Sequence, residues 1–354
     1  MSQARGGSTR TRPTRPVCEL CARVAVSALL MALTVSDAAA AGRHALVVFG
    51  AAGGPQYQAK YDAWRSALAV TLEERFGYAR DRILVLAEND EAPRTSTGEN
   101  VRAAFARLRS AVQRDDVVLV LLIGHGTAID GPEGGDGKFN LVGPDLTAAD
   151  WAALVATVPG RLVFVNTASG SFPFLEKIAG KGRIVMTATD TAVQQFETVF
   201  PEYFIQALGE ASADGDKNGR VSVWEAFRYA TARVKAWFEE RGQLATERPL
   251  LDDNGDGIGR EAEELGPGAS PARPPVAGAD GALAQATYLQ PDPAIPATAD
   301  AEMKSLLTRR AELQSRIDLL RAAKGTMPQD DYDRQLEAAL VELARIDQQV
   351  RGRR

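Results

Sequence analysis

The chain has 354 residues, 45% of them apolar and 25% charged, which is enough to bury a sizeable core and still carry an appendage. Residues 1–41 contain five arginines and two acids, so the remainder carries 36 basic and 44 acidic side chains, net −8, a balance that argues against a nucleic-acid partner. Both cysteines, Cys18 and Cys21, lie in that first segment, so residues 42–354 have no thiol, no disulfide and no cysteine nucleophile.

Residues 1–23 are rich in arginine, residues 24–35 are almost wholly apolar, and residues 38–41 are four alanines. This is the layout of a secretory signal peptide removed before residue 42, and it predicts a periplasmic or secreted protein. The apolar run of 12 residues is short of the roughly 20 that span a bilayer, so no transmembrane segment is expected after cleavage. Cys18 and Cys21 precede the apolar run, where a lipid-acceptor cysteine would follow it, and read as incidental.

From residue 42 the pattern alternates strands and helices. A strand is expected over 45–49, with His44 at its start as an edge or surface residue. A loose glycine turn follows, then a helix over 57–76 and a strand over 83–87. A second helix is expected over 97–112, capped by Ser96 with Glu99 as its capping-box partner. The glycines of residues 50–54 do not fit a dinucleotide-binding loop, because the third glycine is misplaced and no acid closes a second strand. Residues 117–123 are seven consecutive apolar residues, too few for a free-standing helix and not alternating, so they read as a central strand covered on both faces. A glycine-rich insertion over 130–137, a short strand over 138–142 and a helix over about 146–155, capped by Asp145 or Thr147, come next. Buried strands over 161–165 and 183–188 complete a set of βαβ units with a mainly parallel sheet.

Two of these strands end in loops with chemical content. The central strand runs into Gly124-His125-Gly126, and the strand at 161–165 runs into Asn166-Thr167-Ala168-Ser169-Gly170-Ser171-Phe172. In open α/β sheets, ligands and chemistry collect at the carboxyl ends of the strands, so His125 and the hydroxyls of Thr167 and Ser169 are candidates for one crevice. The segments L-L-I-G-H-G-T and L-V-F-V-N-T-A-S-G-S-F resemble the legumain-like cysteine peptidases of the caspase and gingipain clan, and V-V-F-G-A-A-G-G-P-Q-Y and T-A-T-D add to the likeness. The resemblance covers about residues 43–208 and implies a caspase-like three-layer α/β/α sandwich. It also implies that His125 stands at the catalytic histidine and Thr167 at the nucleophilic cysteine, with Asn166 before it. A threonine hydroxyl ionises far above neutral pH, so the family's acyl-enzyme chemistry is not expected. Three readings follow: a non-catalytic relative, a hydrolase using Thr167 or Ser169 with His125, and a structural polar cluster. Ser169 and Ser171 read as shaping the turn and capping the next helix.

Residues 214–225 match D-x-D-x-N-G-x5-E at every constrained position. Asp214, Asp216, Asn218, the Arg220 carbonyl, Ser222 and a bidentate Glu225 would give Ca²⁺ its six or seven oxygens, between helices expected over 197–208 and 223–240. A second loop, with Asp252, Asn254, Asp256, the Ile258 carbonyl and Glu263, is less regular, because Pro249 interrupts the incoming helix. The two EF-hand-like loops start 38 residues apart, a spacing that would let them share a short ladder and hold one or two structural Ca²⁺ ions.

The expected organisation is a signal peptide at 1–41, the α/β domain at 42–210, calcium-binding loops and helices at 211–265, a Pro/Ala-rich linker at 266–300 touching the core at Thr287, Tyr288 and Leu289, and a coiled-coil-like helical hairpin at 301–354 broken at residues 325–328. The hairpin's narrow apolar stripe needs cover from the main domain or from a second copy, which makes a homodimer through 301–354 one expectation. The function expected is that of a peptidase homologue binding a peptide, a protein or an envelope component, with an active hydrolase and a calcium-stabilised assembly module as rivals.

Overall fold

The structure, a computed structural model, describes residues 41–129, 136–265, 280–291, 299–322 and 327–353. The expected signal peptide, most of the glycine-rich insertion, most of the linker and half of the hairpin break lie outside the described residues. Among the described residues the chain runs through β1 (Arg43–Phe49), α1 (Pro55–Ala69), β2 (Ile83–Leu86), α2 (Gly98–Ala111) and β3 (Val117–Ile123). Three short strands follow, β4 (Gly126–Ile129), β5 (Asp136–Phe139) and β6 (Leu146–Thr147), then α3 (Ala148–Val155), β7 (Arg161–Asn166), α4 (Phe172–Ile178) and β8 (Arg183–Thr187). The last part comprises α5 (Phe200–Gly209), α6 (Val223–Glu240), β9 (Leu250–Asp252), α7 (Ala282–Gln285), α8 (Ala301–Ala322) and α9 (Gln329–Arg351).

Six strands form one sheet in the order β2-β1-β3-β7-β8-β9, parallel except for β9, which runs antiparallel to β8 at the edge. The near-continuous apolar run of β3 is explained by its place between β1 and β7. Leu119, Leu121 and Ile123 join one core with Tyr61 and Leu68 of α1, Phe204 of α5 and Phe227 of α6. The alternate residues Val118, Val120 and Leu122 join the other, with Phe105 of α2, Trp151 of α3 and Phe174 of α4. Each such side chain, fully withdrawn from water, contributes about 1.5–3 kcal/mol before chain entropy is set against it. Trp151 anchors the second core, edge-on to Phe105, Phe139 and Phe164 at 6.0–6.2 Å between ring centres.

Several local expectations shift for visible reasons. Helix α2 is capped by Thr97, whose hydroxyl accepts from Asn100 N at 3.2 Å, and not by Ser96. The Ser96 backbone is held in extended form, its N–H on Ala87 O and its carbonyl taking Val142 N, so the helix starts one residue later. Thr147 and Asp150 form the capping box of α3, while Asp145 instead accepts from Leu141 N at 3.0 Å. His44 is neither an edge nor a surface residue. It is 4% exposed, because β1 lies between β2 and β3, and its Nε2 meets Asp116 Oδ2 at 3.3 Å.

The described residues form one compact unit. Thr287, Tyr288 and Leu289 are buried against the core: Thr287 O accepts from Val223 N, and Leu289 O accepts from the Tyr78 hydroxyl at 2.7 Å. Helices α8 and α9 run antiparallel, with Arg310 on Asp347 at 2.6 Å and Arg353 near Asp300 at 3.8 Å. Leu313, Ile317, Leu320, Ala339, Ile346 and Val350 cluster between them, so each helix covers the other's apolar stripe.

Candidate functional site

β3 leaves the sheet into Gly124-His125-Gly126, at the carboxyl edge of the parallel strands. His125 is half-buried, and its Nε2 lies 3.1 Å from the carbonyl of Ala52. A carbonyl can only accept, so Nε2 donates the hydrogen. Tyr57 of α1 meets the imidazole edge-on at 4.6 Å, with Tyr61 at 6.4 Å. The Ala52 backbone is itself fixed by Glu88, whose Oε2 accepts its N–H at 2.8 Å.

β7 leaves beside it into the turn Asn166–Ser171, so the structure brings His125, Thr167 and Ser169 to the same end of adjacent strands. The hydroxyls, however, turn toward the backbone of the β3 exit. Thr167 is 0% exposed; its N–H and its Oγ1 both donate to Leu122 O, at 3.0 and 2.7 Å. Ser169 Oγ lies 3.3 Å from both the N and the O of Gly126. Ser171 is also committed, its Oγ accepting from the amides of Ala188 and Thr189 at 3.1 and 3.2 Å. A hydroxyl becomes a nucleophile by passing its proton to a base, and here the Thr167 proton is held by a carbonyl. Three of the turn's amides are engaged as well: Thr167 N by Leu122 O, Ala168 N by Asn166 Oδ1 at 3.0 Å, and Ser171 N by Thr189 Oγ1 at 2.9 Å. A tetrahedral intermediate needs such donors free.

The segment after β8 lies over this turn. Gly170 has φ +57°, and a Cβ there would stand 2.7 Å from Ala192 O. The Thr198 hydroxyl donates to Thr167 O, and Val199 N and Phe200 N donate to Glu247 at 2.6 and 3.0 Å. Glu247 is 2% exposed; burial pushes its carboxyl up to about 7, against the opposing pull of those two amides. Thr198 and Glu247 escape sequence reasoning, since each acts through a contact between segments far apart in the chain; Ala52 and Tyr57 lie in V-V-F-G-A-A-G-G-P-Q-Y, whose pattern does not reveal their contacts with His125.

The first acidic loop is drawn together at the start of α6. Asp214, Asp216 and Glu225 bring carboxylate oxygens within 4.8 Å of one another, and they are the one such group of three among the described residues. Asp214 accepts from the amides of Asn218 and Gly219 at 3.1 and 2.8 Å, while Asn218 Oδ1 accepts from Arg220 N at 2.8 Å. Ser222 and Glu225 form a capping box, and Glu225 also receives the Gly215 and Asp216 amides at 2.9 and 3.2 Å. The second loop is built differently. Asp252, fully buried, accepts from Gly255 N and Gly257 N at 2.8 and 2.6 Å, and Asp256 accepts from Ile258 N at 2.8 Å. Glu263 is exposed and faces Lys235 at 3.8 Å. The expected shared ladder is not formed. β9 is recruited to the main sheet and Leu251 bridges to Arg260 within its own loop, whereas Ser222 of the first loop bridges to Tyr288.

No family model matches the chain. Metacaspase-4 of Arabidopsis thaliana is 38% identical to it over 65 residues, 18% of this chain and 16% of that protein. Metacaspase-6 of the same plant is 30% identical over 99 residues, 26% of this chain and 27% of that protein. Over these stretches the chain is similar in sequence to caspase-like peptidases. The chain spans well under a third of the length of the metacaspases it matches. Among solved structures, a protein from Geobacter sulfurreducens is similar with TM-score 0.40 and 14% identity, covering 60% of this chain and 92% of that one. The Drosophila initiator caspase Dronc has TM-score 0.38 and 10% identity, covering 59% and 78%. The caspase-like α/β fold is read from the chain's own sheet, mostly parallel with helices on both faces. Among the described residues no helix is long and apolar enough to cross a membrane.

Proposed function

We propose that this caspase-like peptidase homologue is an exported, calcium-stabilised protein that binds a peptide or protein without cutting it. The observation that carries this reading is the engagement of the Thr167 hydroxyl with Leu122 O beneath a fully buried turn. The position that the legumain resemblance equates with the nucleophile thus holds a hydrogen-bonded structural group, and residues 42–354 contain no cysteine to replace it. Support for binding comes from the segment over the turn, where Val193 and Phe196 are 70% and 68% exposed at the carboxyl end of the sheet. The ion belongs to the first loop, where Asp214, Asp216, Asn218 and Glu225 with the Arg220 carbonyl offer the hard oxygen set that suits Ca²⁺. Glu263 stands with Lys235, so the reading assigns one ion and not two.

A second reading, hydrolysis by Ser169, is favoured by one contact: its Oγ lies beside Gly126, the neighbour of His125. Residues 42–354 incubated with a panel of fluorogenic peptide amides and esters, with calcium and with chelator, separate the two. No turnover is expected. Turnover that disappears in Ser169→Ala or Thr167→Ala would replace the binding role with a hydrolase.

A further inference from the structure

The end of the sheet opposite His125 holds an acid with an unusual set of partners. Asp116, immediately before β3, is 7% exposed. Its Oδ1 accepts the backbone N of Gly42 at 2.6 Å, and its Oδ2 accepts Gln113 N at 2.9 Å and meets His44 Nε2 at 3.3 Å. Asp116 also ties three strands at their start, because its carbonyl accepts Arg161 N, the first residue of β7, and Val117 N donates to Gly42 O ahead of β1. Burial pushes its carboxyl up, but the Gln113 and Gly42 amides outweigh that and hold it below the ordinary value. His44 is pushed down by burial, against the raising effect of Asp116, so it is neutral near pH 7.

Gly42 is also where the expected signal peptide ends. Hydrolysis of the Ala41–Gly42 bond by a signal peptidase adds one water, leaving a carboxylate on Ala41 and a primary amine on Gly42. With an ordinary pKa of about 7.7–8.0 that amine takes up a proton at neutral pH. We infer that removal of residues 1–41 completes this site: the new α-ammonium of Gly42 forms a partly buried ion pair with Asp116 and locks the starts of β1 and β3 together. The inference rests on the exported reading given above. In an unprocessed chain the same nitrogen is a neutral amide donor, so the charge arrives with the cut and the geometry is already in place.

The surroundings favour this charge and no side chain. A Cβ on Gly42 would stand 2.7 Å from Asp116 Oδ1 and 2.6 Å from Arg82 Nη1. The charged and titratable groups facing the site are Arg43 and His44 of β1, Asp81 and Arg82 before β2, Asp116, and Arg161 at the head of β7. Arg43 donates to Tyr288 O, to Ala41 O and, at 3.4 Å, to Gly42 O, and so adds a second cation beside Gly42; Arg161 is turned to the Thr287 hydroxyl. Arg82 and Arg43 repel the ammonium, and Asp116 with Asp81 attracts it; the 2.6 Å contact makes Asp116 the deciding partner. Cleavage also removes the Ala41 carbonyl that Arg43 engages, a loss outside the ion pair.

The test compares three proteins: residues 42–354 with a free Gly42, residues 41–354 with one extra alanine, and residues 42–354 carrying Asp116→Asn. The Gly42 amine in the first should titrate at least one pH unit above the ordinary value and react about tenfold more slowly with an acylating reagent at pH 7.5. In Asp116→Asn it should return to ordinary reactivity. The chain beginning at Ala41 should be less stable to urea and have an ordinary amine, a comparison that holds even if the Asp116 variant folds poorly. An ordinary, freely reactive amine in residues 42–354 overturns the ion pair. The mass of full-length protein exported by a bacterial host tests the cut separately: a mature chain beginning at another residue overturns processing at Ala41, whatever the amine does in the purified proteins.

Discussion

Thr167 donates twice to one acceptor, its amide and its hydroxyl both reaching Leu122 O. The residue at the family's nucleophile position therefore stitches β7 to β3. Thr167→Val keeps the size and loses the hydroxyl, while the amide still satisfies the carbonyl. The expected cost is about 1 kcal/mol in urea unfolding, with Thr167→Ser recovering most of it. A change in stability below about 0.3 kcal/mol would show that the hydroxyl bond is not formed in solution.

The carboxyl of Glu247 gives a pH signature. Its folded value of about 7 lies above the unfolded 4.5, so its contribution is fully present below pH 4.5 and is lost as pH rises through 7. On the order of 3 kcal/mol should disappear across that window. Glu247→Gln cannot ionise, and its melting temperature should change much less between pH 5 and pH 7.5. Parallel slopes for the two proteins would rule out Glu247 as the source.

Calcium should raise the melting temperature of residues 42–354, and a chelator should reverse the rise. Glu225→Gln should abolish the response, because Glu225 belongs to the close carboxylate group. Glu263→Gln should leave it intact. Loss of the response in Glu263→Gln would mean that the second loop rearranges to bind.

Asp253 and Asp280 exchange backbone partners across 27 positions. Asp253 takes the amides of Gly281 and Ala284 at 2.8 and 2.7 Å, and Asp280 takes those of Asp253 and Asn254 at 2.8 and 3.0 Å. Asp253→Ala strands two buried donors and should cost about 2–4 kcal/mol. Amide exchange in residues 287–290 should accelerate with it. Unchanged exchange there would mean that the strap is held by Tyr288 and Leu289 alone.

The parallel sheet was legible because β1, β3, β7 and β8 are apolar on both faces, a pattern that admits few other structures. The histidine and hydroxyl loops were legible for the same reason, as each directly follows a buried strand. The direction of the hydroxyls was not, because rotation toward Leu122 or Gly126 depends on a neighbouring strand that sequence spacing does not reveal. β9 was hidden in an acidic loop: three residues long, at the sheet edge, it owes its strand form to pairing with β8. His44 misled for a similar reason, since a polar residue opening a strand looks exposed until Asp116 supplies its partner.

The closure of α8 and α9 on themselves has a consequence for how the chain can be divided. Their cluster of Leu313, Ile317, Ala339 and Ile346 is distinct from both cores of the sheet, so among the described residues neither core takes apolar cover from α8 or α9. Truncating the hairpin, or replacing it with a reporter joined after residue 299, should therefore leave the interior of the six-stranded sheet in place.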